Sequence, residues 1–257
     1  MDIIVIIVLA IAQGLTEFLP ISSSGHLLLI EDITGYSSNG LLTSLVLHLG
    51  TLISVCIVMK DSIKKLFVKP YRMLFYLILA TIPSCVLGML LSDSIEVVFS
   101  DGKILPWTFF LTSVLLFLCQ KVKRRQNSFT LKNSISMGLG QCFALLPGLS
   151  RSGTTIACAL LSGADRESSG EFSFLMSIPI ILGGVVVNAY KLISSNQAHT
   201  VQITPLLVGM LVSCVVGLIS IKKMLALINK GKFTPFCIYL VILSVICFIN
   251  YYLLPIW

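Results

Sequence analysis

Charge is what this sequence has least of. Aspartate, glutamate, lysine and arginine make up 11% of its 257 residues, against about 25% in ordinary soluble domains. That shortage excludes a water-soluble globular fold. Histidine occurs three times, and none of the eight cysteines belongs to a Cys-x-x-Cys pair, which removes the usual zinc-ribbon and thioredoxin-like readings. Cys56, Cys85, Cys119, Cys142, Cys158, Cys214, Cys237 and Cys247 all lie in apolar stretches and read as small buried hydrophobes rather than disulfide partners. A basic N-terminal region is missing as well. Asp2 precedes the apolar run 3–12 and no small-residue cleavage site follows, so no cleaved signal peptide is expected.

What the chain does have is apolar length. Hydrophobic residues reach 56% and the mean hydropathy is +0.98. Crossing the hydrocarbon core takes about 20 apolar residues, and six segments qualify, roughly 41–59, 73–91, 104–120, 172–193, 203–221 and 235–254. Two further stretches, about 2–33 and 134–163, are apolar but broken by polar residues, and we assign them as re-entrant helix pairs. The net charge of +7 is confined to a few loops: 15 of the 18 Lys and Arg fall in or beside 60–72, 121–132, 166 and 222–232. Strict alternation of spans puts all of these on one side, which the positive-inside rule makes cytoplasmic. The charge therefore reports topology, and no nucleic-acid partner is expected. The opposite loops 31–40, 92–103 and 194–202 hold Glu31, Asp32, Asp93, Glu96 and Asp101 with Lys103 as their one base.

The first broken segment reads Gln13-Gly14-Leu15-Thr16-Glu17-Phe18-Leu19-Pro20-Ile21-Ser22-Ser23-Ser24-Gly25-His26. Gln13 and Glu17 share one helix face, Pro20 ends that helix, and Ser22 to Gly25 form a loop before the run that His26 opens. The pattern returns in Gln141-Cys142-Phe143-Ala144-Leu145-Leu146-Pro147-Gly148-Leu149-Ser150-Arg151-Ser152-Gly153-Thr154 at a constant shift of 128, with Gln13 on Gln141, Ser22 on Ser150, Ser24 on Ser152 and Gly25 on Gly153. This gives an all-α polytopic fold of a single domain, 1–257. It comprises two repeats of about 1–120 and 133–257, each with one re-entrant pair and three spans. Three is odd, so the second repeat is inverted, and both termini are expected outside.

Once the loops are assigned, Glu17 and Arg151 are the charges left at membrane depth. They read in two ways: as a structural ion pair joining two re-entrant tips, or as part of an anion site where two helix N-termini meet near the midplane. Ser22, Ser23, Ser24, Gly25, Ser150, Ser152, Gly153, Thr154 and Thr155 supply hydroxyls and approachable backbone, and Arg151 a bidentate fork, which together suit phosphate. Glu17 then holds a divalent cation or acts as a base. Ser and His26 together permit nucleophilic attack with acid–base help. His48 reads as a packing residue, His199 as inert, Pro83 and Pro179 as kinks, and Gly183-Gly184 as a close helix contact.

On the first motif, on Pro147-Gly148-Leu149-Ser150-Arg151-Ser152-Gly153-Thr154-Thr155 and on Glu171-Phe172-Ser173-Phe174-Leu175-Met176-Ser177-Ile178-Pro179, the chain resembles the undecaprenyl-diphosphate phosphatase family, also called the bacitracin-resistance protein family. The resemblance spans essentially the whole chain. It implies hydrolysis of a polyprenyl diphosphate to the monophosphate, recycling the lipid carrier of peptidoglycan synthesis in the bacterial cell membrane. It also implies an interdigitated inverted-repeat fold, an outward-facing site and a divalent cation, Mg²⁺ or Ca²⁺. Glu17, Ser23, His26, Ser150, Arg151 and Thr155 stand at the family's functional positions. We assign Ser23 as nucleophile, the alternative being direct attack by a metal-activated water with Ser23 only binding phosphate; His26 is the proton relay, Arg151 the diphosphate clamp, and Glu17 with Gln13 the metal ligands. Many members carry a second acid where this chain has Gln13, whose carbonyl can still bind a cation or orient water. The other reading is a polyprenyl-phosphate flippase on the same architecture; a homodimer is left open. A type-2 phosphatidic-acid phosphatase is set aside, because no histidine follows Ser150-Arg151 before His199.

Overall fold

The computed structural model describes residues 3–35, 40–91, 102–122, 129–194, 203–255 and 257. The expectations for Asp93, Glu96, Asp101, His199, all of 123–128 and all but the first of 194–202 fall outside them. The described residues form eleven α-helices and no strand: α1 Ile3–Thr16, α2 Ser23–Thr34, α3 Gly40–Val58, α4 Lys60–Leu66, α5 Arg72–Leu90, α6 Leu105–Gln120, α7 Leu131–Phe143, α8 Arg151–Leu161, α9 Arg166–Ser194, α10 Ile203–Lys230 and α11 Thr234–Phe248, the last running into a π-turn at Ile249–Leu253.

Helix α10 shows why these elements associate in lipid. One face carries Gly209, Ser213, Gly217 and Ser220, all buried, and lies against α1 and α3. The other face exposes Leu207, Leu211, Val215 and Ile219. Lipid tails are as apolar as leucine, so helices gain by close backbone approach over small residues rather than by hiding hydrophobes. Ser213 donates to the Leu47 carbonyl of α3 at 3.1 Å, a bond that bulkier residues would hold apart. Packing is also reciprocal between the halves. Helix α1 packs on α10 while α7 packs on α5, and α3 pairs with α9 as α6 pairs with α11.

Four helices, α5, α9, α10 and α11 with its π-turn, are long and apolar enough to cross a membrane among the described residues, and α3–α4 makes a fifth if its bent pair counts as one span. Six spans were expected. The sixth, α6, has 16 residues, about 24 Å of helix at 1.5 Å per residue. Two further details differ from expectation. Basic residues 60–66 are not loop but a helix turned 75° from α3, which leaves Lys60, Lys64 and Lys65 exposed. And Gly183-Gly184 is not a close contact: among the described residues, a Cβ added at either would meet no atom within 4 Å. Pro83 and Pro179 sit inside the continuous helices α5 and α9.

Candidate active site

Both breaks form by the same local chemistry. Pro20 follows the end of α1, and Ser22 then caps α2 by accepting from the Gly25 N–H at 3.3 Å. In the second break Ser150 caps α8 by accepting from the Gly153 N–H at 3.1 Å. In each, the capping hydroxyl also lies 3.3 Å from the hydroxyl two residues on, Ser22 to Ser24 and Ser150 to Ser152. Each cap satisfies one orphan donor and leaves the remaining first-turn N–H groups available.

The two loops abut. Ser152 donates to the Leu19 carbonyl at 3.1 Å. A Cβ on Gly25 would sit 3.1 Å from the Gly148 Cα and 2.6 Å from the Phe109 ring. Gly148 itself has φ +80, and a Cβ there would meet Thr108 Oγ1 at 2.2 Å. Only glycine combines that backbone with that proximity.

Between the loops lies a cavity of about 330 Å³, with Glu17, Ser22, Ser23, Ser24, Ser150 and Arg151 in its wall. Glu17 is its hub, 8% exposed. Its Oε1 accepts from Arg151 Nη2 at 2.5 Å. Its Oε2 accepts from Ser23 Oγ at 2.6 Å and from Gln13 Nε2 at 3.2 Å, with His48 Nε2 3.9 Å away. The ion pair between Glu17 and Arg151 therefore forms, yet it does not exhaust the arginine: Arg151 Nη1 is buried without a partner among the described residues. Two helix N-termini, a guanidinium with a spare donor and a ring of hydroxyls are groups whose chemistry suits a multiply charged oxyanion.

Other expected residues stand elsewhere. His26 does not line the cavity. Its Nδ1–H donates to the Ser22 carbonyl at 2.7 Å, and its Nε2 accepts from the Tyr239 hydroxyl at 2.6 Å. Both ring nitrogens are thus engaged, by the Ser22 carbonyl and the Tyr239 hydroxyl, away from the cavity where a proton relay was expected. Thr155 is fully buried and bonded to the Arg151 carbonyl at 2.9 Å and to Ser173 at 2.7 Å, so it braces the start of α8. Gly25, Ser152, Gly153 and Thr154 likewise stand behind the wall, and Gln13 behind Glu17. In their place the cavity gains His48, Gln141, Asn188 and Thr16. His48 donates from Nδ1 to the Ser44 carbonyl at 2.8 Å, which turns Nε2 toward Glu17. Packing was the reading for His48; a lone imidazole in an apolar span was the available signal. Gln141 was visible through its alignment with Gln13, whereas nothing in the sequence marked Asn188.

No group of three His, Cys, Asp or Glu side chains gathers as a metal cage among the described residues. The donors present are Glu17 and the Gln13 carbonyl, whose Oε1 is buried and unpartnered. Glu17 is the carboxylate on the cavity wall, with Gln13 behind it, and a hard cation there would take most of its ligands from phosphate and water.

The family model described as Bacitracin resistance protein BacA matches residues 6–246. A Carboxydothermus hydrogenoformans protein named undecaprenyl-diphosphatase is 38% identical over 244 residues, covering 93% of this chain and 94% of that protein. Its namesake in Methanobrevibacter smithii is 38% identical over 275 residues, covering 97% and 98%, and that in Halothermothrix orenii is 35% identical over 255 residues, covering 97% and 98%. The chain belongs to the bacitracin resistance protein BacA family.

Proposed function

We propose, from that membership and from the cavity, that the chain is a membrane phosphatase converting undecaprenyl or a related polyprenyl diphosphate to the monophosphate and inorganic phosphate. It thereby recycles the lipid carrier of peptidoglycan synthesis and confers bacitracin resistance. The observation that carries the reading is Ser23 Oγ held 2.6 Å from Glu17 Oε2 in a wall shared with Arg151 and two helix N-termini. The terminal phosphate lies against the spare Arg151 Nη1 and the first-turn N–H groups of α2 and α8. Ser23 Oγ attacks the terminal phosphorus and its proton passes to Glu17 Oε2. The bridging P–O bond breaks, with its electron pair leaving on the polyprenyl monophosphate. Water then attacks the phosphoserine and Glu17 returns the proton to Oγ. Arg151 and the helix ends stabilise charge that spreads over the phosphoryl oxygens. Glu17 and Gln13 would hold Mg²⁺ or Ca²⁺, which when bound neutralises diphosphate charge.

The site faces the outside of the bacterial cell membrane in this reading. Support comes from where the cavity meets the long helices. It touches α3 at Leu45 and His48, far from the lysines that follow Val58, and α9 at 180–188, far from Arg166. With the basic ends cytoplasmic, that is the outer half of both helices. The apolar wall formed by Leu45, Leu145, Ile180 and Ile181 suits the first isoprene units.

Purified protein in detergent tests the function directly: it releases inorganic phosphate from polyprenyl diphosphate. A flippase on the same architecture would release none, and that result overturns the proposal.

A further inference from the structure

We propose that Tyr239, on the last helix, is a positioning residue that aims the Ser23 hydroxyl through His26. The inference rests on the role given to Ser23 above. Ser22, the residue before it, has φ 72 and ψ 107, a left-handed conformation that a residue with a side chain keeps only where its surroundings impose it. The Ser22 carbonyl and the Ser23 nitrogen belong to one planar peptide unit, so whatever fixes the carbonyl sets the direction in which Ser23 leaves the backbone. His26 fixes it, with Nδ1–H 2.7 Å from the carbonyl oxygen.

The imidazole is itself held. The Tyr239 hydroxyl donates to its Nε2 at 2.6 Å. The Tyr239 ring meets it end-on, with centroids 5.7 Å apart and planes inclined 14°, and the Phe109 ring packs against it at 5.7 Å and 61°. An O–H donated to Nε2 leaves the ring proton on Nδ1, the tautomer that the Ser22 carbonyl needs. A chain of two hydrogen bonds therefore runs from a residue 213 positions away to the peptide that carries Ser23. Its geometric outcome is the 2.6 Å contact of Ser23 Oγ with Glu17. Tyr239 is not among the described residues that line the cavity, so its effect should fall on turnover and leave substrate binding alone.

The test is a double-mutant cycle on purified protein, with phosphate release normalised to monodisperse protein on gel filtration. Tyr239→Phe keeps the ring and removes the donor; kcat should fall about fivefold, the worth of one ordinary hydrogen bond, with KM unchanged. His26→Asn places a carboxamide N–H where Nδ1 was but has no Nε2 for Tyr239 to hold and cannot carry a proton. It should keep at least about a tenth of wild-type kcat, where loss of a true acid–base group costs about 10²–10⁴. In the His26→Asn background, Tyr239→Phe should change nothing. Three results overturn the proposal: full kcat in Tyr239→Phe, the same loss in both backgrounds, or a drop beyond a hundredfold in His26→Asn. Ser23→Ala, run alongside, separates the two levels. If it retains a tenth of turnover the role of Ser23 falls; if it is inactive and the cycle shows no coupling, only the role of Tyr239 falls.

Discussion

Replacing Arg151 by alanine should be the most damaging single change, and the structure says why in two parts. Nη2 is the counter-charge of Glu17 at 2.5 Å, with the two side chains only 13% and 8% exposed. Breaking a buried pair by removing one partner costs about 3–5 kcal/mol, because an uncompensated carboxylate stays behind. Nη1, buried and unpartnered among the described residues, is the donor available to the phosphoryl oxygens, and an arginine acting on that charge is worth about 10³–10⁵ in turnover. Arg151→Ala should therefore be both less stable and less active, and the two losses can be separated. Adding Glu17→Gln to Arg151→Ala removes the stranded charge, so thermal unfolding in detergent should recover most of the loss while phosphate release stays absent. Arg151→Lys keeps one charge but cannot serve both partners at once, and should fall between. Turnover above a hundredth of wild type in folded Arg151→Ala would refute the assignment of Arg151 to the transition state.

Ser23→Ala should cost several orders of magnitude in turnover if Ser23 is the nucleophile, whereas a hydroxyl that only binds phosphate costs about 1–3 kcal/mol; a variant keeping a tenth of wild-type phosphate release rules out the covalent route. Excess chelator should stop hydrolysis and added Mg²⁺ or Ca²⁺ should restore it; full activity in chelator removes Glu17 and Gln13 from metal binding. Gly148→Ala should lower the unfolding temperature by an amount corresponding to about 1–3 kcal/mol, since its φ of +80 and the 2.2 Å approach to Thr108 Oγ1 cannot both be kept; an unchanged melting curve contradicts that packing. In a background without reactive native thiols, Val97→Cys and Gln197→Cys should react with an impermeant reagent from outside and Asn127→Cys should not; the reverse pattern inverts the topology.

What the sequence by itself determined was local or periodic. Although Ser23 to Gly25, read as loop, already belong to α2, apolar runs of membrane length and the polar breaks at Pro20 and Pro147 follow from helix geometry and from the penalty on unsatisfied backbone in lipid. They hold whatever the neighbours are, and the shift of 128 made the second break legible from the first. Tertiary structure alone decided where the side chains between these breaks point. Glu17 meets Arg151 across 134 positions, and His26 is turned from the cavity by a tyrosine 213 positions away, while His48 is turned into it. No spacing rule encodes such pairings, because an imidazole near serines follows whichever partner can satisfy both its nitrogens. Gly183-Gly184 teaches the same from the opposite side. Small residues permit close approach, but whether a helix arrives is settled by the packing of the whole bundle, and among the described residues the space beside them is left open.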